Sequence, residues 1–167
     1  MHDELTRTDI EKMQEELHLR RTVTRPKLLE AVKEARAFGD LSENFEYKAA
    51  KREKNQNESR IRYLENMIQT AVVIQDRSGA EEIGLFDKVT VRFEEEDETE
   101  QFQIVTTLRQ DSLHGLISKE SPVGKALMGH RAGDRVMVKV SDSYSYPLQI
   151  LAVEKGQDDG SIPISPY

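Results

Sequence analysis

No cysteine and no tryptophan occur among the 167 residues. The lack of cysteine excludes a disulfide scaffold, a thiolate zinc site and a cysteine nucleophile. Aromatic residues are 6% of the chain and hydrophobic residues 37%, against 33% charged. That is too little apolar material for a single close-packed core, and the surplus charge calls for extended surface such as long exposed helices. The four histidines (His2, His18, His114, His130) are scattered and form no ligand pair one helical turn apart. No apolar run approaches the roughly 20 residues of a membrane span. The start, Met1-His2-Asp3-Glu4, is acidic and does not read as a signal peptide. A soluble cytoplasmic protein with no membrane partner is expected.

The net charge is −7. Residues 1–75 hold 14 basic and 14 acidic side chains; residues 76–167 hold 10 and 17, so the second part carries the whole excess. A protein that lives on nucleic-acid phosphates is normally basic overall. This balance points to a protein partner, with nucleic acid reached only locally.

Residues 6–70 are rich in helix formers and contain one proline, Pro26, and one glycine, Gly39. Apolar positions recur in steps of three and four: Ile10, Met13, Leu17, then Leu28, Ala31, Val32, Ala35, Phe38. Past Gly39 they resume at Leu41, Phe45, Ala49, Ile61, Leu64, Ile68 and Ala71. A stripe this narrow buries one partner helix, the seam of a coiled coil. Two long antiparallel helices turning at Gly39 are expected, an arm roughly 45 Å long at ~1.5 Å per residue. Pro26 should break or kink the first helix. Gln56 and Asn57 fall where the second should be apolar.

Beyond residue 75 the period becomes two. Val89, Val91, Phe93; Phe102, Ile104; Val136, Val138, Val140; and Leu148, Ile150, Ala152 read as half-buried strands. Ser121-Pro122 through Gly129 reads as a short helix, with Ser121 as N-cap, Pro122 in the first turn and Gly129 as terminator. The fold class is therefore α+β: an N-terminal antiparallel coiled-coil hairpin (1–75), then an antiparallel sheet with a short helix (76–155). The polar tail, 156–167, is expected to be disordered.

The turn of the arm is Gly39-Asp40-Leu41-Ser42-Glu43-Asn44-Phe45-Glu46-Tyr47. Gly39 suits the positive φ that ends a helix. Asp40 and Glu43 have an ordinary reading, a capping box in which each carboxylate accepts from the other residue's amide. They also have a chemical reading. Two carboxylates at the end of an arm are half of a magnesium site, to be completed by a partner.

The block Gly39-Asp40-Leu41-Ser42-Glu43-Asn44, then Glu46-Tyr47 and Ala49-Ala50, closely resembles the tip signature of the GreA/GreB transcript cleavage factors of bacterial RNA polymerase, with the GreA branch nearer. The resemblance continues through Thr22-Val23, Arg25-Pro26, Arg60-Ile61 and Leu64-Glu65. It returns as Ile117-Ser118, Glu120-Ser121-Pro122-Val123-Gly124, Ala126-Leu127 and Gly129. It implies a coiled coil followed by a domain similar to FK506-binding-protein folds. The mechanism it implies is insertion of the arm into the polymerase secondary channel. There Asp40 and Glu43 help hold a magnesium ion shared with the polymerase, whose own active site cleaves the backtracked RNA 3′ end. The chain itself would then be no enzyme, would bind no cofactor tightly and would act as a monomer. By position, Arg36 and Lys51 would face the RNA, and Glu120, Ser121 and Pro122 would bind the rim of the channel. Ser42 and Asn44 would shape the turn, with Leu41 and Phe45 anchoring it. Arg52, beside Lys51, reads as ordinary helix-surface charge paired with glutamates.

Three features depart from the family pattern: Arg20 where leucine is usual, Asp9 where glycine is common, and the extension after Lys155. Two rival readings stay open beside that of a plain scaffold coiled coil, which explains the helices but not the tip signature. One is an inhibitory paralogue that enters the same channel. The other is a prolyl isomerase in the second domain, against which its lack of tryptophan and few aromatics speak.

Overall fold

The structure is a computed structural model and describes residues 3–39 and 44–166. The chain divides into two units, residues 10–71 and residues 3–9 together with 72–166. The architecture is α+β. The start of the chain, placed with the helices by its sequence, pairs instead within the second unit. There Glu4–Leu5 (β1) runs parallel to Val72–Val73 (β2), and Leu5 is fully buried. Among the described residues no helix is long and apolar enough to cross a membrane.

Three helices build the first unit: α1 (Arg7–Leu19), α2 (Arg25–Arg36) and α3 (Phe45–Thr70). The 26 residues of α3 give it a length of about 39 Å. Thr6 and Asp9 open α1 with reciprocal bonds: the Thr6 amide donates to Asp9 Oδ2 at 2.9 Å and the Asp9 amide to Thr6 Oγ1 at 3.2 Å. Pro26 does not break the helix. Arg20–Thr24 form one π-helical turn, and the Arg25 amide reaches back to the Arg20 carbonyl. The wider turn accommodates a ring that has no N–H to give and would crowd the carbonyl four residues back.

Leu28, Ala31, Val32 and Ala35 of α2 are buried or half-buried, as their spacing predicts. On α3 the inward residues are Tyr47, Ala50, Asn57, Ile61 and Leu64. Counting back from Ile61 in alternating steps of four and three reaches Asn57, Lys54, Ala50 and Tyr47. The phase through Phe45 and Ala49 is therefore wrong: both are exposed, as is Gln56. Asn57 alone holds the seam position, 3% exposed. It is served by Arg20, whose Nη1 donates to Asn57 Oδ1 at 2.8 Å. Arg20 Nε also donates to Glu16 Oε2 at 2.8 Å, and Arg60 Nε to the same oxygen at 2.7 Å. Burial pushes the Glu16 carboxyl up, but Arg60 and Arg20 together hold it below its ordinary value. Asn57 Nδ2 is buried and meets no acceptor among the described residues.

In the second unit β3 (Lys88–Phe93), β4 (Glu98–Val105), β5 (Leu116–Ser118), β6 (Arg135–Lys139) and β7 (Ser145–Glu154) form one sheet in the order β5-β4-β3-β7-β6. It is mixed rather than antiparallel, because β5 runs parallel to β4. Helix α4 (Pro122–Leu127) packs against β6 and β5. Val89, Val91, Ile104, Val136, Val138, Leu148 and Ile150 form the core with Leu127 of α4. The alternation in β7 fails after Ile150. A bulge pairs Val91 with Ile150 but Thr90 with Ala152, which turns Ala152 outward and brings Val153 against the core. Val140 lies beyond β6 and is half-exposed.

The tail is the largest correction. Although short of apolar residues, it is held by polar contacts. The Gly156 amide donates to Asp87 Oδ1 at 2.8 Å. A Cβ at Gly156 would lie 2.0 Å from the Phe86 carbonyl oxygen, so only glycine passes there. Arg109 is fully buried by side chain, and its Nη1 and Nη2 donate to the two carboxylate oxygens of Asp158 at 2.7 and 2.6 Å. Its Nε donates to Asp9 Oδ1 at 2.6 Å, and the guanidinium lies 5.2 Å from the Phe86 ring centroid. Further on, Ile162 packs against the core and the Ser165 amide donates to the Leu108 carbonyl.

Candidate functional sites

The end of the arm is built by the last turn of α2 and the first turns of α3. Gly39 takes φ +139°, a conformation that glycine adopts most readily. Asp40, Leu41, Ser42 and Glu43 lie outside the described residues. Asn44 is the N-cap of α3: its Oδ1 accepts from the Tyr47 amide at 3.0 Å. Its Nδ2 donates to the Ala35 carbonyl at 2.6 Å. One side chain thus starts α3 and ties it to α2. Asn44 thus fills the N-cap of α3, the role that the sequence offers to Asp40.

Arg36, in the last turn of α2, donates from Nη2 to the Tyr47 hydroxyl at 3.3 Å, with its guanidinium 5.4 Å from that ring centroid. That hydrogen bond holds the Tyr47 phenol below its ordinary pKa against a smaller push from burial, and Lys51 and Lys54 add to it. Lys51 is exposed and lines a shallow depression with Lys48, Arg52, Asn55, Gln56 and Ser59. Among the described residues no carboxylate stands within ion-pairing distance of Lys48, Lys51 or Arg52. Phe45 does not anchor the turn: it is 80% exposed, and Phe38 on the other side is 77% exposed. Among the described residues no group of three His, Asp or Glu could hold a metal ion.

The Glu120-Ser121-Pro122 loop belongs to the second unit. Ser121 caps α4, its Oγ accepting from the Gly124 amide at 3.1 Å and donating to the Ser118 carbonyl at 2.6 Å. Gly124 is forced, since a Cβ there would come within 2.1 Å of the same carbonyl. Glu120 and Pro122 project to solvent. Lys119 Nζ bonds Glu120 Oε1 at 2.9 Å and also pairs with Glu4, which lowers the Glu120 pKa. The loop is rigid inside and presents an acid and a proline outside.

Residues 4–73 match the family model for the N-terminal domain of transcription elongation factors, and residues 78–155 match that for the GreA/GreB C-terminal domain. The chain belongs to the GreA/GreB family of transcription elongation factors. Transcription elongation factor GreA of Geobacillus kaustophilus is 43% identical over 136 residues, 81% of this chain and 86% of that one. The GreA of Staphylococcus saprophyticus is 38% identical over 150 residues, 90% and 95% of the two chains. Of solved structures, the GreA factor homolog 1 (Gfh1) protein of Thermus thermophilus is 28% identical, covers 93% of this chain and 100% of that one, and has a TM-score of 0.43.

Sequence reasoning missed Tyr47 as the partner of Arg36, and it missed the exposure of Phe38 and Phe45. The correct heptad phase would have found the first, since Tyr47 lies fourteen residues, two heptads, before Ile61.

Proposed function

We propose that this elongation factor stimulates transcript cleavage. The helical arm enters the secondary channel of RNA polymerase, in the cytoplasm, and the polymerase active site hydrolyses the backtracked RNA. The carrying observation is the tip sequence, two carboxylates three residues apart on an arm whose helix cap is supplied by a different residue, Asn44. Asp40 and Glu43 would hold a magnesium ion jointly with the polymerase. Two carboxylates fit that ion's taste for few acidic ligands and many waters, but do not suffice alone. When bound there, the ion supplies charge stabilisation at the phosphodiester and an acidified water. Arg36, Lys51 and Arg52 supply positive charge for the extruded strand, and Glu120 with Pro122 forms the rim contact. The chain carries no catalytic constellation of its own in this reading.

The test is an arrested elongation complex with magnesium. Wild-type protein shortens the RNA. Asp40→Ala and Glu43→Ala each abolish that while competing with wild type for the polymerase. Full cleavage by either variant refutes the metal role. Inhibition by the wild-type chain would instead support the paralogue reading.

A further inference from the structure

The chain has five phenylalanines. Phe86 is 4% exposed, and Phe93 and Phe102 pack against the core of the second unit. Phe38 and Phe45 are the exceptions, bare to 77% and 80% at the two helix ends that flank the tip. Leaving two large rings in water forgoes the free energy of burying them, and neither ring serves the seam. Their neighbourhood is basic. Lys48 Nζ stands 5.7 Å from the Phe45 ring centroid, Arg36 follows α2 to its end, and Lys51 is one turn beyond Lys48. Exposed aromatic rings interleaved with cations are what a single nucleic-acid strand needs, a flat surface for a base and charge for its phosphates. An apolar protein surface would gain nothing from the cations and would have to desolvate them.

We infer that Phe38 and Phe45 form a stacking clip for the unpaired bases at the 3′ end of the extruded RNA, with Lys48 and Arg36 facing the flanking phosphates. This rests on the cleavage reading above and adds to it a positioning device. Stacked bases hold the strand at the end of the arm, so the clip acts on the rate at saturation more than on affinity for polymerase.

The experiment uses full-length protein and an arrested complex with 2-aminopurine at the RNA 3′ end. Compared are wild type, the pair Phe38→Leu and Phe45→Leu, and the pair Phe38→Trp and Phe45→Trp. Both positions are exposed, and equal helical circular dichroism confirms folding. Wild type should quench the 2-aminopurine by stacking. The leucine pair should lose the quench and cleave about ten-fold more slowly at saturation, at unchanged half-saturating concentration. The tryptophan pair should restore both. A leucine pair that quenches and cleaves like wild type overturns the clip, and one that fails to bind polymerase shows an apolar protein contact instead and overturns it too. If wild type itself cleaves nothing, the cleavage reading falls, and the quench alone still decides the stacking.

Discussion

Arg109 offers the most exacting test of the energetics. Its side chain is fully buried, as is that of Asp9, and Asp158 is 14% exposed. Replacing Arg109 with methionine keeps most of the apolar stem but strands the Asp9 carboxylate without its cation. Breaking a buried pair from one side costs about 3–5 kcal/mol. Asp158→Asn is milder: Arg109 keeps Asp9 and an amide oxygen, and the lost charge-assisted bond is worth roughly 1.5–3 kcal/mol. Adding Asp9→Asn to Arg109→Met removes the stranded charge and should recover about 2 kcal/mol. The assay is urea unfolding of the full chain, with hydrogen exchange over residues 86–110 to report the second unit separately. There is also a pH signature. Burial pushes the Asp158 carboxyl up, yet Arg109 and the Gly160 amide hold it below its ordinary value of 3.8. A depressed acid contributes stability that is complete above its unfolded pKa and is lost as pH falls through the folded one. Wild type should therefore weaken below about pH 4 more steeply than Asp158→Asn. A cost under about 1 kcal/mol for Arg109→Met, or no recovery on adding Asp9→Asn, refutes the reasoning.

Arg20→Leu and Asn57→Leu together should leave the arm as stable or more so, because an apolar pair replaces a buried amide with an unmet donor, whereas a double-mutant cycle in urea should show the two positions coupled by about 1 kcal/mol. Asn44→Ala should cost about 1 kcal/mol, seen as faster amide exchange at residues 45–48, with cleavage slowed but not abolished. Gly124→Ala should destabilise the second unit and lower its melting temperature, since the new methyl group meets the Ser118 backbone rather than a yielding side chain.

The helical arm and the strand-rich second unit were legible because hydrophobic period is a local signal. Val89, Val91 and Ile104 alternate in sequence and are buried in fact. What was illegible depends on pairing across the chain. The bulge beside Ile150 comes from the register between β3 and β7, which neither strand encodes alone. The phase error at Phe45 came from treating the most apolar residue as the inward one, while the seam ran through Tyr47 and a polar Asn57. The tail was misjudged because composition measures burial and this segment is fixed by ions. At the candidate site, Arg36 and Lys51 are named by the family resemblance alone, whereas the Tyr47 contact and the Asn44 clamp to Ala35 required three-dimensional placement.

The three departures from the family pattern can be accounted for together. Arg20, in place of an apolar seam residue, would be a defect beside a second apolar position, but it meets Asn57, the other polar intruder, at 2.8 Å. Asp9, in place of a small residue, would be a buried unpaired charge, but it meets Arg109, which also grips Asp158 in the C-terminal extension. Arg20 meets its polar counterpart directly and Asp9 is linked to the extension through Arg109, in each case across tens of residues or more in sequence. Polar groups buried in this way are stable only when matched, so loss of either partner alone costs more than loss of both. A chain carrying Asp9 and Arg109 thus depends on its last dozen residues. By the same logic, Asp158 should be expendable only in a background where Arg109 is already apolar and Asp9 already neutral.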